Sequence, residues 1–290
     1  MTSKSRPVYL NGEWCDTDTA RVSVLDRGYL FGDGVYEVIP AFAGRLFGLD
    51  EHMARLSRSL EAIGIAEPLG RDDWQAIFDR LLAGIDAPDA AIYLQVTRGA
   101  PAKRDHAWPG DEVSPGVMAT VSPIGAIAGG ARVITLPDAR WARCDIKSIN
   151  LLPNTMARQQ ALEQGCDEAV LVRDGLVMEG AATNLFAVVN GRLVTAPTGT
   201  RILAGITRGL LLDLVRDERL VEVDESFITI SALREADEVF LTSSTKDLWP
   251  VVEIDGQPVG SGAHAGRAGP VTRQLDQHFQ ALKHPQRSSR

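Results

Sequence analysis

Arg143-Cys144-Asp145-Ile146-Lys147-Ser148-Ile149-Asn150-Leu151-Leu152-Pro153-Asn154 sets one lysine in a short run between a strand-like segment and a helix-like one. The apolar neighbours Ile146 and Ile149 desolvate that position, which favours an uncharged amine able to attack an aldehyde and form a Schiff base. A lysine taken alone is usually a solvated surface residue, so its partners along the chain decide the reading.

Three other stretches supply partners. Glu179 stands in Val177-Met178-Glu179-Gly180-Ala181-Ala182-Thr183-Asn184, where small residues let backbone approach a ligand and a carboxylate can keep a ring nitrogen protonated. Gly205-Ile206-Thr207-Arg208 precedes the apolar run Leu210 to Leu214, making Thr207 a helix N-cap candidate able to cradle a phosphate. Thr242-Ser243-Ser244-Thr245 closes the strand-like Val239 to Leu241, a common place for ligand contacts. Each has an ordinary alternative: a solvated turn glutamate, a plain cap, loop serines. A lysine, an acid and two hydroxyl clusters together fit pyridoxal 5′-phosphate.

Outward from these blocks, apolar spacing predicts an amphipathic helix over Asp50 to Ile63 (Met53, Leu56, Leu60, Ile63), with Asp50 as its cap and Arg55 beside the stripe. A second helix is predicted over Asp72 to Ala83, and a strand over Ala91 to Thr97. Beyond a Gly/Ala-rich stretch, short strands (Val133 to Leu136, Ala169 to Val172, Leu185 to Val189, Val239 to Thr242) mix with helices near Thr155 to Gln164 and Arg208 to Val215. Asp255-Gly256 is a hairpin signal. The expectation is a mixed α and β (α+β) chain without regular βαβ repeats: an N-terminal domain over 1–121, a linker over 122–131, and a C-terminal domain over 132–290 that carries the lysine.

Composition excludes other classes. The 290 residues are 44% hydrophobic and 23% charged, the balance of a folded globular protein. A net charge of −8 without a basic stripe disfavours nucleic acid and anionic lipid as partners. No apolar stretch has the length of a membrane span or a signal peptide, so cytoplasmic residence is expected. Cys15, Cys144 and Cys166 are odd in number and widely spaced, which argues against a disulfide framework or a metal site. The tail from Lys283 to Arg290 reads as polar and mobile.

Asp26-Arg27-Gly28-Tyr29-Leu30-Phe31-Gly32-Asp33-Gly34-Val35-Tyr36-Glu37-Val38, the Cys144 to Pro153 block, Glu179 to Asn184 and Gly205 to Arg208 resemble, in order, the signature segments of the class IV, fold type IV, pyridoxal-phosphate aminotransferases. The resemblance spans roughly Val8 to Phe279. It implies a homodimer of two-domain subunits, each with a smaller N-terminal α/β domain and a larger, barrel-like C-terminal one. It assigns Lys147 to the Schiff base and proton transfer, and Glu179 to the pyridine nitrogen. Arg55, Ile206, Thr207, Ser243 and Ser244 are assigned to the phosphate, and Tyr36 to the substrate carboxylate.

Within that family the stretch RGAPAKRDHAWP, residues 98–109, decides the branch. Members acting on D-amino acids place an Arg-x-His after the strand, matched here by Arg104-Asp105-His106, one residue later than usual. An arginine grips a carboxylate bidentately and a histidine adds a second donor. The reaction implied is ping-pong transfer from D-alanine to 2-oxoglutarate, giving pyruvate and D-glutamate. Branched-chain aminotransferase, aminodeoxychorismate lyase and R-selective amine transaminase are the alternatives on the same fold. A non-catalytic cofactor-binding module is the alternative from another class.

Overall fold

The computed structural model describes residues 5–127 and 129–284. The chain divides into two compact units: the first runs to Gly125 and takes back Ile146–Asn150, and the second comprises Ala126–Asp145 and everything from Leu151 onward.

The first unit is built from β1 (Pro7–Leu10), β2 (Glu13–Asp16), α1 (Arg27–Phe31), β3 (Gly34–Phe42), β4 (Arg45–Leu46), α2 (Leu49–Ala62), α3 (Arg71–Ala83), β5 (Asp89–Thr97) and β6 (Gly116–Pro123). Its six strands form an antiparallel sheet in the order β2-β1-β6-β5-β3-β4. In β5, Ile92, Leu94 and Val96 alternate inward and are fully buried, as period-two alternation requires. They share a core with Leu56 and Leu60 of α2 and Trp74, Ile77, Phe78 and Leu81 of α3. Each such side chain contributes roughly 1.5–3 kcal/mol on leaving water. Both helices match the predicted stripes to within a residue, although Gly48, not Asp50, occupies the N-cap of α2. The buried face of α2 also carries a polar strip that hydrophobic patterning does not reveal: His52, Arg55 and Ser59.

The second unit contains β7 (Ala131–Pro137), α4 (Leu152–Glu163), β8 (Glu168–Arg173), β9 (Leu176–Gly180), β10 (Asn184–Val189), β11 (Arg192–Thr195), α5 (Ile206–Asp217), β12 (Val223–Glu225), α6 (Ile230–Arg234), β13 (Glu238–Ser243), β14 (Asp247–Ile254), β15 (Gln257–Pro258) and α7 (Pro270–Lys283). Its sheet runs β12-β11-β10-β13-β14-β7-β8-β9, with β15 paired to β14. The β11–β12, β14–β7 and β7–β8 pairs are parallel and the others antiparallel, the mixed arrangement expected. End strand β9 also packs beside β10, so the sheet curls toward a half-barrel. Asp255 and Gly256, at φ 51° and 75°, make the hairpin turn between β14 and β15.

Three sequence expectations change. The helix of the lysine block starts at Leu152, with Pro153 in its first turn, where a missing N–H costs nothing. Lys283, expected in a mobile tail, ends α7 as a buried side chain bonded to Asp247; residues 285–290 of that tail lie outside the described residues. Residues 146–150, placed by sequence in the C-terminal domain, pack with the first unit, because Ile146 enters that core and Ser148 bridges Val35.

Candidate active site

Strand β4 pairs with β3 only at Ala41 and Phe42, which leaves the other end of β3 with an open edge. The segment 147–149 fills it: Tyr36 N donates to Lys147 O at 3.0 Å and Ile149 N to Gly34 O at 3.0 Å. Backbone pairing thus fixes Lys147, whose own N–H reaches Ser59 Oγ at 3.3 Å. The Lys147 Nζ lies 4.1 Å from the centre of the Tyr36 ring, and that ring stacks on Tyr93. Lys147 and Tyr36, singled out separately in sequence, are therefore neighbours.

Arg55 is the third predicted residue in this group. Its Nε and Nη2 each donate to Glu37 at 2.7 Å, and His52 Nδ1 lies 2.7 Å from the same carboxylate. Burial alone would push the Glu37 carboxyl up; the Arg55 charge and its hydrogen bonds outweigh that, with help from His52, and hold it at about 2. Burial pushes His52 below the ordinary imidazole range against the pull of Glu37, and the charges of Arg55 and Lys147 add to the lowering.

Arg104 and His106 sit on the exposed loop after β5. Phe31 brings them together: the Arg104 guanidinium stands 4.7 Å over its ring and the His106 ring lies 5.3 Å from it. Among the described residues no hydrogen bond or ring contact joins either to Tyr36 or Lys147.

In the second unit the end of β9 carries Glu179, 3% exposed and surrounded by donors. Asn184 Nδ2 donates to its Oε2 at 2.8 Å, Leu203 N donates at 3.0 and 3.2 Å, and Arg140 Nη1 bonds Oε1. Arg140 is in turn held by the buried carboxylate of Asp138, which also receives Arg173 at 2.9 Å. Burial dominates at Glu179 and pushes its carboxyl up to about 7 against the opposing Arg140 charge.

Close by, Gly205 and not Thr207 takes the N-cap of α5, and a Cβ at Gly205 would clash with Asn184 Oδ1. The first intrahelical bond of α5 runs from Gly209 N to Gly205 O, so the N–H groups of residues 206–208 precede the ladder. Thr207 is buried there. Asn184 pairs across the sheet with Thr242, whose buried hydroxyl has no hydrogen-bond partner, and Ser243 and Ser244 follow at the end of β13. Glu179, Thr207, Ser243 and Ser244 are thus drawn to neighbouring ends of β9, α5 and β13.

Glu37, His52, Asp138 and Arg140 support these side chains without being singled out by the sequence pattern. His52 lies one helical turn before Arg55, a signal that was available. Arg140 and Glu179 are 39 residues apart, and nothing local announces their meeting.

A profile described as amino-transferase class IV matches residues 34–254. The D-alanine aminotransferase of Bacillus licheniformis is 42% identical over 277 residues, covering 94% of this chain and 95% of that one. The D-alanine aminotransferase of Staphylococcus haemolyticus is 40% identical, covering 94% and 96%. Among solved structures, a branched-chain amino acid aminotransferase from Escherichia coli superposes with a TM-score of 0.87 at 26% identity, covering 96% and 95%. A branched-chain amino acid aminotransferase from Thermoproteus uzoniensis, solved with norvaline, gives 0.83 at 27%, covering 96% and 95%.

Proposed function

The chain belongs to the class IV aminotransferases, and from that premise we propose that it moves the amino group of D-alanine to 2-oxoglutarate, leaving pyruvate and D-glutamate. One observation carries the chemistry: backbone pairing on β3 presents the Lys147 amine beside the Tyr36 ring. The substrate class follows the near-full-length relatives, D-alanine aminotransferases at 40% and 42% identity, over the branched-chain structures at 26% and 27%.

The residues present fit pyridoxal 5′-phosphate. A buried carboxylate held by three donors suits a protonated ring nitrogen, and an orphaned Thr242 hydroxyl beside the open amides of α5 suits a phosphate. When bound, this cofactor supplies an aldehyde for an amine and a ring that accepts the electron pair left at Cα. Glu179 would hold the ring-nitrogen proton, with Arg140, Asn184 and Leu203 N fixing its oxygens. Ile206, Thr207, Ser243, Ser244 and Arg55 would hold the phosphate.

Lys147, once free, would carry the proton between Cα and the cofactor's C4′. Tyr36, Arg104 and His106 would hold the substrate carboxylate and so decide which face of Cα Lys147 reaches. The reading includes a homodimer and a cytoplasmic site of action, with free Cys15, Cys144 and Cys166 in keeping with a reducing compartment. No helix among the described residues is long and apolar enough to cross a membrane.

Pure protein supplied with the cofactor, given D-alanine or L-alanine with 2-oxoglutarate, tests the proposal through pyruvate release. Pyruvate from the D-enantiomer alone is expected. Turnover of L-alanine only, or of neither, would overturn the substrate assignment.

A further inference from the structure

Between β5 and β6 the chain forms no helix or strand, and Arg104 and His106 are exposed there, yet the buried side chain of Arg27 grips the backbone around them. Arg27, 3% exposed, donates from Nη1 to Asp105 O at 2.5 Å and Ala107 O at 3.1 Å, and from Nη2 to His106 O at 3.3 Å. Its Nε is fixed by Asp33 at 2.8 Å. Asp33 also receives Arg98 at 2.8 and 3.0 Å; Arg98 reaches Ile63 O and Gly64 O, and its guanidinium lies 3.9 Å from the Trp108 ring. Burial alone would push the Asp33 carboxyl up, but hydrogen bonds and charge from Arg98 and Arg27 hold it below its ordinary value.

We propose that Arg27 is a positioning residue for substrate recognition: by holding three successive carbonyls of residues 105–107, it sets the direction in which Arg104 and His106 project. The inference rests on the reading of those two side chains as carboxylate donors. Arginine is required because its planar fork offers five donors in fixed directions, whereas a lysine offers one point of charge. Phe31, one helical turn after Arg27, lies under both the Arg27 and the Arg104 guanidinium, at 4.8 and 4.7 Å, so the anchor and the recognition residue share one platform. Two arginines against one aspartate also leave a positive charge beneath the loop, the sign that a substrate carboxylate needs.

The test is Arg27→Lys in the cofactor-loaded enzyme. With the charge kept and the fork lost, KM for D-alanine is expected to rise about tenfold or more while kcat stays within about threefold. Trypsin should also cut after Lys103 or Arg104 sooner than in the parent protein. In an Arg104→Ala/His106→Ala background, Arg27→Lys should add less than about a twofold effect, since its action runs through those residues. An unchanged KM in the single variant, or a tenfold rise that persists in the double-alanine background, overturns the inference. If the double-alanine protein itself keeps the parent KM, the carboxylate reading fails instead. Asp33→Asn, which loosens Arg27 without replacing it, should give the same KM-selective rise and serves as the test if Arg27→Lys does not fold.

Discussion

The carboxylate of Glu37 receives the Arg55 guanidinium through two hydrogen bonds of 2.7 Å, with both side chains almost wholly buried. The pair lies on β3 and α2, directly behind the strand edge that carries Lys147. Because Glu37 titrates at about 2 when folded against an ordinary 4.5, the folded state holds fewer protons than the unfolded chain between those values. Its stabilisation is complete above about pH 4.5 and is lost as pH falls through 2. Urea unfolding at stepped pH should show a fall of about 3 kcal/mol across that window. Glu37→Gln should flatten the slope and lower stability at pH 7 by about 3 kcal/mol, since the buried Arg55 charge loses the carboxylate charge that opposes it. Parallel slopes in the two proteins would contradict this account.

Glu179 has the opposite sign. Its carboxyl, pushed up to about 7 by burial, stays protonated in the folded apo-protein where the unfolded chain has ionised. Stability of the apo-protein should therefore decline as pH rises from about 4.5 through 7, and Glu179→Gln should remove that decline. The same variant should slow turnover by about a hundredfold or more, because a neutral amide cannot stabilise a charged ring nitrogen. A holoenzyme rate unaffected by Glu179→Gln would remove Glu179 from the site.

Replacing Lys147 with alanine should reduce turnover by about a thousandfold or more with little change in thermal unfolding, since its side chain is only half-buried and its backbone pairing survives. Borohydride treatment followed by mass spectrometry should attach the cofactor to the parent protein and not to Lys147→Ala. Attachment at another lysine would reassign the nucleophile.

At Gly205 the smallest possible change is informative. A methyl group there clashes with Asn184 Oδ1, so Gly205→Ala must displace Asn184 or the start of α5. A loss of about 1–3 kcal/mol in stability is expected, together with weaker retention of the cofactor on dialysis. Unchanged retention would mean that the start of α5 does not contribute to the phosphate site.

The helices α2 and α3 and strand β5 were legible because each buries one face, and burial of one face writes a period into the sequence. Lys147, Glu179 and Thr207 could be singled out because they stand in short segments of unusual composition. Their supports were not legible. Arg140 meets Glu179, and Arg27 meets residues 105–107, only because separate strands and loops are folded onto one another; a charged residue at those positions looks the same in sequence whether it is solvated or buried. The placement of residues 146–150 was hidden for a related reason, since an added edge segment of three residues is too short to show alternation.

That return of the chain bears on how the protein is made. The ribosome delivers β3 more than a hundred residues before the segment that completes its edge, so a nascent chain of the first 125 residues carries an exposed, half-paired strand. Neither unit is a contiguous stretch of gene, and a cut after Gly125 would release a first unit without the strand edge that Ile146–Asn150 supplies. The lysine on which the chemistry is read to depend therefore arrives late in synthesis, and its arrival coincides with closure of the sheet that holds it.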